Sequence, residues 1–262
     1  HCPTPQEPPE DPKGREAFWE FWRRLILEYI PNSPSHVFGS ESYCFKIAAL
    51  FSAETVPVDM DREHVPISAT RIRQSPMRHW DLILDQARPY FLKRVCIAGP
   101  ESTGKSTLAR DLAAHFKTRF VTEYARPLLA LQSDECYYED IERIARGHKA
   151  AEEALARQAL RVLLSDTDMI TTTIWSEYLF GKCEDWILEE APARPYDLTL
   201  LLQPDTPFVE DPQRFSQGDR QWFLERLRHE YSRAGRRVVD ISGSWDQRLE
   251  LAIQAVEDIL QD

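Results

Sequence analysis

Positive charge is in short supply in this chain. Its 262 residues carry 32 Lys and Arg against 43 Asp and Glu, a formal net charge of −11. That balance argues against broad binding of nucleic acid through phosphates, while leaving room for a local basic pocket. Long apolar runs are missing too: none approaches the roughly 20 residues of a membrane span, and no stretch reads as a signal peptide. The five cysteines (Cys2, Cys44, Cys96, Cys136, Cys183) are odd in number and have no metal-ligand spacing. They read as reduced, mostly structural thiols, which points to the cytoplasm and to no membrane partner. No internal repeat or low-complexity tract stands out. The first residue is His1 rather than Met, so the expectation is a chain that begins partway through a longer protein. What remains is ordinary: 42% apolar residues and enough length for one or two domains with a sizeable core.

One stretch organises the rest. Gly99-Pro100-Glu101-Ser102-Thr103-Gly104-Lys105-Ser106-Thr107 fits G-x-x-x-x-G-K-[ST] without a mismatch. Backbone N–H groups of such a loop cradle nucleotide phosphates, at the start of a helix whose dipole favours anions. Lys105 is placed to reach the β- and γ-phosphates, and the Ser106 hydroxyl to bind Mg²⁺. Chance gives the pattern in roughly one chain of this length in a hundred. The context argues against chance: Arg94–Ala98 reads as a buried strand before the loop. Leu108, Leu112 and Phe116 form an apolar helical face after it.

Ahead of the loop the reading is helix 15–30, strand 36–38, helix 43–52 and an edge strand at 55–59 that contains Pro57. Ser68 reads as the N-cap of a helix beginning at Ala69. With Thr70, Arg71 and Arg73 it forms either a small anion site or an ordinary capped, exposed turn. A further helix is expected at 78–87, and a domain boundary at about residue 92.

Beyond the loop helix, strand 119–122 ends in Glu123-Tyr124-Ala125-Arg126. The carboxyl ends of parallel strands carry the site in such folds. Glu123 is there to orient a substrate hydroxyl or to cap the next helix. Residues 137–159 read as a long polar helix with a solvated charged face. Strand 160–165 runs into Asp166-Thr167-Asp168, a Walker B-like arrangement in which Asp166 assists the metal. Asp168 either shares that chemistry or caps helix 169–180. Trp175 and Tyr178 on that helix read as core or as a ring pocket. After strand 198–202, the long connection 203–220 reads as a lid over ATP. Arg214 and Arg220 are its candidates for neutralising phosphate charge. Helix 220–233, strand 236–241 and helix 244–260 complete a five-stranded, doubly wound parallel α/β layout.

The series Ile67-Ser68-Ala69-Thr70-Arg71-Ile72-Arg73, then the loop, Glu123-Tyr124-Ala125-Arg126 and Asp166-Thr167-Asp168 resembles the NadR-type bifunctional proteins of NAD biosynthesis. The resemblance covers nearly the whole chain and includes Pro207-Phe208-Val209-Glu210-Asp211 and Arg214 as the lid. It implies a P-loop kinase-like domain at 93–262, preceded at 1–92 by the second half of a Rossmann-like nicotinamide-nucleotide adenylyltransferase domain. The implied reaction passes the γ-phosphoryl group of ATP to the ribose 5′-hydroxyl of nicotinamide riboside. Gly99, Glu101–Thr107 and Arg220 would hold ATP; Ser106 and Asp166 would hold Mg²⁺. Lys105, Glu123, Asp166, Asp168 and Arg214 would carry the chemistry. Glu123, Tyr124 and Arg126 would face the nucleoside, with Glu123 preferred over Asp168 as the base. Ser68, Thr70, Arg71 and Arg73 match the family's second phosphate motif, and Gly39–Tyr43 a segment near the bound nucleotide. The family's first motif, a His-x-Gly-His pair after a glycine-rich turn, has no counterpart here. The resemblance therefore implies kinase activity without competent adenylyltransferase activity, and no nucleic-acid partner. Two alternatives stay open: a P-loop kinase with another acceptor, and a nucleotide sensor that binds without turnover.

Overall fold

The computed structural model describes residues 16–30, 32–213 and 218–261. Its contacts divide the chain into two units, parting at Arg71/Ile72. Among the described residues no helix is long and apolar enough to cross a membrane.

The first unit begins with α1 (Glu16–Tyr29) and continues as a small βαβ motif. β1 (His36–Gly39) and β2 (Glu54–Pro57) pair in parallel, in register from His36↔Glu54 to Gly39↔Pro57, with α2 (Tyr43–Phe51) as the crossover. Gly39 is there for close approach: a Cβ on it would stand 2.5 Å from Cys44 Cβ. Pro57 ends β2, a position where a missing N–H costs no ladder bond. α3 (Ala69–Gln74) straddles the division between the units.

The second unit is built on a five-stranded parallel sheet in the order β4-β5-β3-β6-β7. Its strands are β3 (Lys93–Ala98), β4 (Phe120–Val121), β5 (Val162–Asp166), β6 (Leu198–Leu202) and β7 (Val238–Ile241). The expected doubly wound layout is what forms. Strands covered on both faces read as continuous apolar runs, and their alternate residues divide between two cores. Val95 and Ile97 of β3, with Leu198, Leu200 and Leu202 of β6, pack under α5 (Lys105–His115) and α11 (Trp245–Leu260). Cys96, Ala98 and Leu201 face the opposite core. That core is formed by α7 (Tyr138–Ala156), α8 (Met169–Phe180), α9 (Asp185–Ala193) and α10 (Arg220–Arg233). A shorter helix, α6 (Ala125–Ala130), follows β4.

The helix expected at 78–87 does not form. The segment makes one 3₁₀ turn at Trp80–Leu82, and a short α4 (Arg88–Phe91) begins after it. Pro89 at the start of α4 suits a helix beginning rather than ending there. Residues 72–92 were grouped with the first domain on sequence grounds, but they pack with the second unit. Met77, Trp80, Ile83 and Leu92 share a buried cluster with Val121, Ala156, Ala159 and Leu163. Trp80 has no exposed surface. The boundary therefore falls ahead of this strap rather than after it. α9, which contains Pro192, was not anticipated.

Candidate functional site: a phosphate loop and the cleft beside it

β3 delivers the loop to the carboxyl edge of the sheet, and two glycines meet the loop's steric demands. Gly99 has φ +148°, and a Cβ on it would stand 2.8 Å from the Leu202 carbonyl of the neighbouring strand. Gly104, the N-cap of α5, sits at φ +88° with the Trp245 ring where a side chain would be. L-residues seldom adopt that conformation. Thr103 is fully buried and donates to the Pro100 carbonyl at 2.8 Å, which closes the loop on itself. Lys105 Nζ donates to the same carbonyl at 3.0 Å, so the ammonium lies over the loop mouth. Ser106 and Thr107 are exposed at the first turn of α5, with their N–H groups among the orphan donors of the helix start. Ser102 behaves differently from a phosphate ligand. Its hydroxyl accepts from Val209 N–H at 2.8 Å and its carbonyl accepts from Thr206 Oγ1 at 2.9 Å, so it tethers the connection that follows β6.

On the β4–β5 side of the loop a cleft opens. Loop residues 99–107, Glu123, Tyr124, Arg126 and His148 line it, with an apolar wall that includes Ile141, Ile144, Trp175 and Phe223. Asp166, the last residue of β5, pairs in register with Ile97 just ahead of the loop. It is 1% exposed, and among the described residues its Oδ1 has no hydrogen-bond partner. Burial first, and the charge of Glu123 second, push its carboxyl up to about 6, against the opposing pull of Lys105 and the Ser106 hydroxyl. A buried carboxylate oxygen without a partner, beside a serine hydroxyl at a phosphate loop, is a donor set that fits Mg²⁺. That ion takes one or two protein oxygens and completes its shell with water and phosphate. Among the described residues no group of three or more His, Cys, Asp or Glu could enclose a metal by itself.

Glu123 follows β4 and pairs with Arg126 Nε at 3.5 Å; Arg126 Nη1 reaches Asp211 of the lid at 3.0 Å. Burial opposes the charge on Arg126, but its two carboxylate partners outweigh it and raise its pKa. Tyr124 turns toward α7 and rests on Gly147.

Asp168 lies away from the cleft lining. It caps α8: Oδ1 accepts from Thr171 N–H at 3.0 Å, Thr171 Oγ1 at 3.1 Å and Tyr231 OH at 3.1 Å, and Oδ2 lies 4.0 Å from Arg236. Oδ1 is engaged in capping, Oδ2 has no hydrogen-bond partner among the described residues, and burial pushes the pKa of the carboxyl up. Arg220 is held by Thr206. Its guanidinium donates to Thr206 O at 3.0 Å and Thr206 Oγ1 at 3.3 Å, tying the start of α10 to the segment after β6, with 9% of the residue exposed. Arg214 lies outside the described residues.

At the first unit's candidate anion site, Ser68 Oγ accepts from Arg71 N–H at 3.2 Å, the capping bond expected of it. Thr70, Arg71 and Arg73 are exposed, on a helix of only six residues.

Three features escaped sequence reasoning. The charges of α7 were read as a solvated face, yet Asp140, His148 and Glu152 are buried. Glu152 accepts from Ser165 Oγ at 3.0 Å and from Arg194 and Tyr196. Burial opposes its ionisation, but His148 and Arg194 prevail and hold its carboxyl below the usual range. Burial likewise keeps His148 below the ordinary imidazole value. The i, i+4 spacing of His148 and Glu152, one turn beyond Ile144, was the available signal. Second, Gly147 in the middle of a 19-residue helix signals a close approach. Third, Arg248 is 1% exposed and donates to Gly243 O at 2.9 Å, Thr103 O at 3.1 Å and Gln203 O at 3.1 Å, and it pairs with Asp205. It clamps the phosphate loop, the end of β6 and the start of α11 together. Nothing local in the sequence marks it.

A G-x-x-x-x-G-K-S loop on the central strand of a doubly wound parallel sheet, with an acidic residue closing the adjacent strand, defines a P-loop nucleotide-binding domain. The chain belongs to the AAA domain family AAA_28, whose profile matches residues 94–248. It is also homologous to NadR. It is 32% identical over 210 residues to the trifunctional NAD biosynthesis/regulator protein NadR of Salmonella typhimurium, and equally so to that of Escherichia coli. These alignments cover 76% of this chain and 51% of each relative, so the chain spans about half the length of the curated relatives it matches. Among solved structures it resembles NadR protein in complex with NR, at 26% identity and TM-score 0.73, over 95% of this chain and 75% of that one. It also resembles NadR protein in complex with NAD and AMP-PNP, at 25% identity and TM-score 0.69, over 95% and 74%.

Proposed function

We propose that the P-loop unit of this chain is a ribosylnicotinamide kinase: it transfers the γ-phosphoryl group of ATP to the ribose 5′-hydroxyl of nicotinamide riboside. The observation that carries this reading is the buried Oδ1 of Asp166, without a hydrogen-bond partner among the described residues, at the end of the strand beside the phosphate loop, whose cleft Glu123, Tyr124 and Arg126 line. A triphosphate loop with a metal-competent carboxylate, opening onto a part-apolar cleft, suits phosphoryl transfer to a small ring-bearing acceptor. NadR structures with NR and with AMP-PNP support that choice of acceptor and donor.

In this mechanism the loop N–H groups and Lys105 bind the β- and γ-phosphates. Ser106 and Asp166 would hold Mg²⁺, which would supply charge neutralisation at the phosphate oxygens. Glu123 accepts a hydrogen bond from the acceptor hydroxyl and takes its proton as the new O–P bond forms and the bond from the γ-phosphorus to the bridging oxygen breaks, that oxygen leaving with ADP. Arg126 fixes the Glu123 carboxylate and, through Asp211, draws the lid to the cleft. Tyr124 and the apolar wall orient the nucleoside and exclude water. Little covalent work falls to the protein; positioning and charge neutralisation supply most of the rate.

The first unit is read as part of an adenylyltransferase-like domain, with Ser68, Thr70, Arg71 and Arg73 as its phosphate motif. The 262-residue chain contains no His-x-Gly-His pair, and we expect it not to join nicotinamide mononucleotide to ATP. The deciding assay incubates the purified chain with Mg²⁺, ATP and nicotinamide riboside, with thymidine, nucleoside monophosphates and gluconate as competing acceptors. Nicotinamide mononucleotide and ADP in equal amounts are the expected products. ADP formation with another acceptor alone would reassign the substrate, and binding without turnover would make the protein a sensor. Dinucleotide formed above background would overturn the reading of the first unit.

A further inference from the structure

α7 lines the cleft with Ile141, Ile144 and His148, which share one face of the helix at i, i+3, i+7 spacing. Two of the three are apolar, and His148 is the polar end of that face. It is 4% exposed, and its Nε2 has no hydrogen-bond partner among the described residues. Glu152, one turn further along α7, brings Oε1 to 3.9 Å, too long for a hydrogen bond. Glu152 is satisfied without it: Oε1 accepts from Ser165 Oγ at 3.0 Å and from Tyr196 OH, and Oε2 accepts from Arg194. A buried polar group left without a partner carries a desolvation cost, and a ligand in the cleft can relieve it.

Charge and position say what that ligand group is. Burial outweighs the pull of Glu152 and holds His148 below the ordinary imidazole value, so the ring is neutral at pH 7. A neutral imidazole offers one donor and one acceptor nitrogen, and a hydroxyl, which donates and accepts, matches it in either tautomer. A phosphate or carboxylate calls for an imidazolium instead, and the ionised Glu152 already stands 3.9 Å away. Gly147, the residue before His148, carries the Tyr124 ring, and Tyr124 follows Glu123, the group assigned to the reacting hydroxyl. His148 therefore belongs to the Glu123 end of the cleft. Ile141, about two turns away, packs in the cluster of Phe223 and Trp175. The apolar end suits the ring of a nucleoside and the polar end its sugar. We propose that His148 is a specificity-determining residue of the acceptor site, whose imidazole hydrogen-bonds a second sugar hydroxyl of the acceptor nucleoside, beside the one that is phosphorylated. The proposal rests on the reading of this unit as a nucleoside kinase and deepens it: the acceptor class is a nucleoside with a free secondary sugar hydroxyl.

The test removes one hydrogen-bond partner at a time. Initial rates of the full chain are measured with Mg²⁺-ATP and nicotinamide riboside, and with its 2′-deoxy and 3′-deoxy analogues, each of which keeps the 5′-hydroxyl. Wild-type kcat/KM is expected to fall about tenfold or more on one of the two analogues. His148→Phe, which keeps an aromatic ring and removes its nitrogens, should lose a similar factor on nicotinamide riboside and nothing further on that analogue. His148→Gln retains a donor and an acceptor and should recover part of the loss. Equal wild-type rates on all three acceptors would overturn the proposal with no variant needed. A His148→Phe loss of the same size on every acceptor would overturn it too, since the ring would then only support the cleft wall. So would a His148→Phe rate on nicotinamide riboside that matches the wild type. Wild-type protein that did not phosphorylate nicotinamide riboside at all would overturn the kinase reading beneath the proposal, a different and recognisable failure.

Discussion

The phenol ring of Tyr124 occupies the space directly above the α-carbon of Gly147, so that a methyl group there would overlap the ring. This contact couples the end of β4 to α7 across the acceptor cleft. Alanine is worth about 1 kcal/mol over glycine inside a helix, so Gly147→Ala is not expected to unfold the protein. Tyr124 is 36% exposed and has room to swing outward. We expect Gly147→Ala to raise the KM for the acceptor about tenfold, with ATP affinity and melting temperature little changed. Steady-state kinetics with each substrate varied in turn checks this; an unchanged acceptor KM would remove Tyr124 from the site.

Asp166 sets a pH dependence of definite sign. Its folded-state pKa is raised to about 6 from the 3.8 of an ordinary aspartate, so between those values the folded state binds more protons than the unfolded state. Ligand-free stability attributable to this group therefore falls as pH rises from about 4 to about 6 and stays low above that. Asp166→Asn removes the penalty and should stabilise the ligand-free protein at pH 7 by roughly 2–3 kcal/mol, seen as a higher melting temperature. The same variant should lose Mg²⁺-dependent turnover. In the wild type, Mg²⁺ affinity should weaken as pH drops through about 6, because the metal takes the ionised form.

The parts of the molecule legible in the sequence are those set by local pattern. β3 and β6 are apolar runs bounded by turn residues. α8 begins at a capping Asp168 and ends at Gly181 in the left-handed region, so both of its ends could be read directly. The phosphate loop is legible because its chemistry is contiguous. The rest depends on residues far apart in the chain. Arg248 finds its partners at Thr103 and Gln203, and no periodicity on α11 distinguishes a buried arginine from a solvated one. Likewise Glu152 is buried because Arg194 and Tyr196 return to it from beyond α8. The strap at 72–92 has a helical apolar rhythm, but burial of Trp80 in the second unit's core overrides local propensity there.

Arg248 should therefore behave as a structural clamp with a functional readout. Removing it leaves Asp205 without its cation and three carbonyls without their donor. Arg248→Ala is expected to destabilise the protein by about 3–5 kcal/mol and to weaken ATP binding in whatever fraction stays folded. Arg248→Lys retains the charge but cannot span the same carbonyls with a planar fork, so it should recover only part of the loss. Chemical denaturation with and without ATP measures both effects. Full stability in Arg248→Lys would mean that charge alone suffices.

The choice between Glu123 and Asp168 as the group that receives the acceptor proton follows from what each already holds. Asp168 Oδ1 accepts three hydrogen bonds beneath the N-terminus of α8, and its second oxygen faces Arg236. Among the described residues Glu123 has only Arg126 as a side-chain ion partner, at 3.5 Å, and it lines the cleft. Glu123→Gln keeps size and hydrogen bonding while removing basicity. It should lower kcat by a factor of about 10² to 10⁴ and leave the melting temperature nearly unchanged. Asp168→Ala should do the reverse, losing roughly 3 kcal/mol of stability through the broken cap and the unpaired Arg236, while the folded fraction keeps turning over. A Glu123→Gln enzyme with wild-type kcat would dismiss Glu123 as the base. Abolished turnover in folded Asp168→Asn, with its melting temperature preserved, would bring Asp168 back as the proton acceptor.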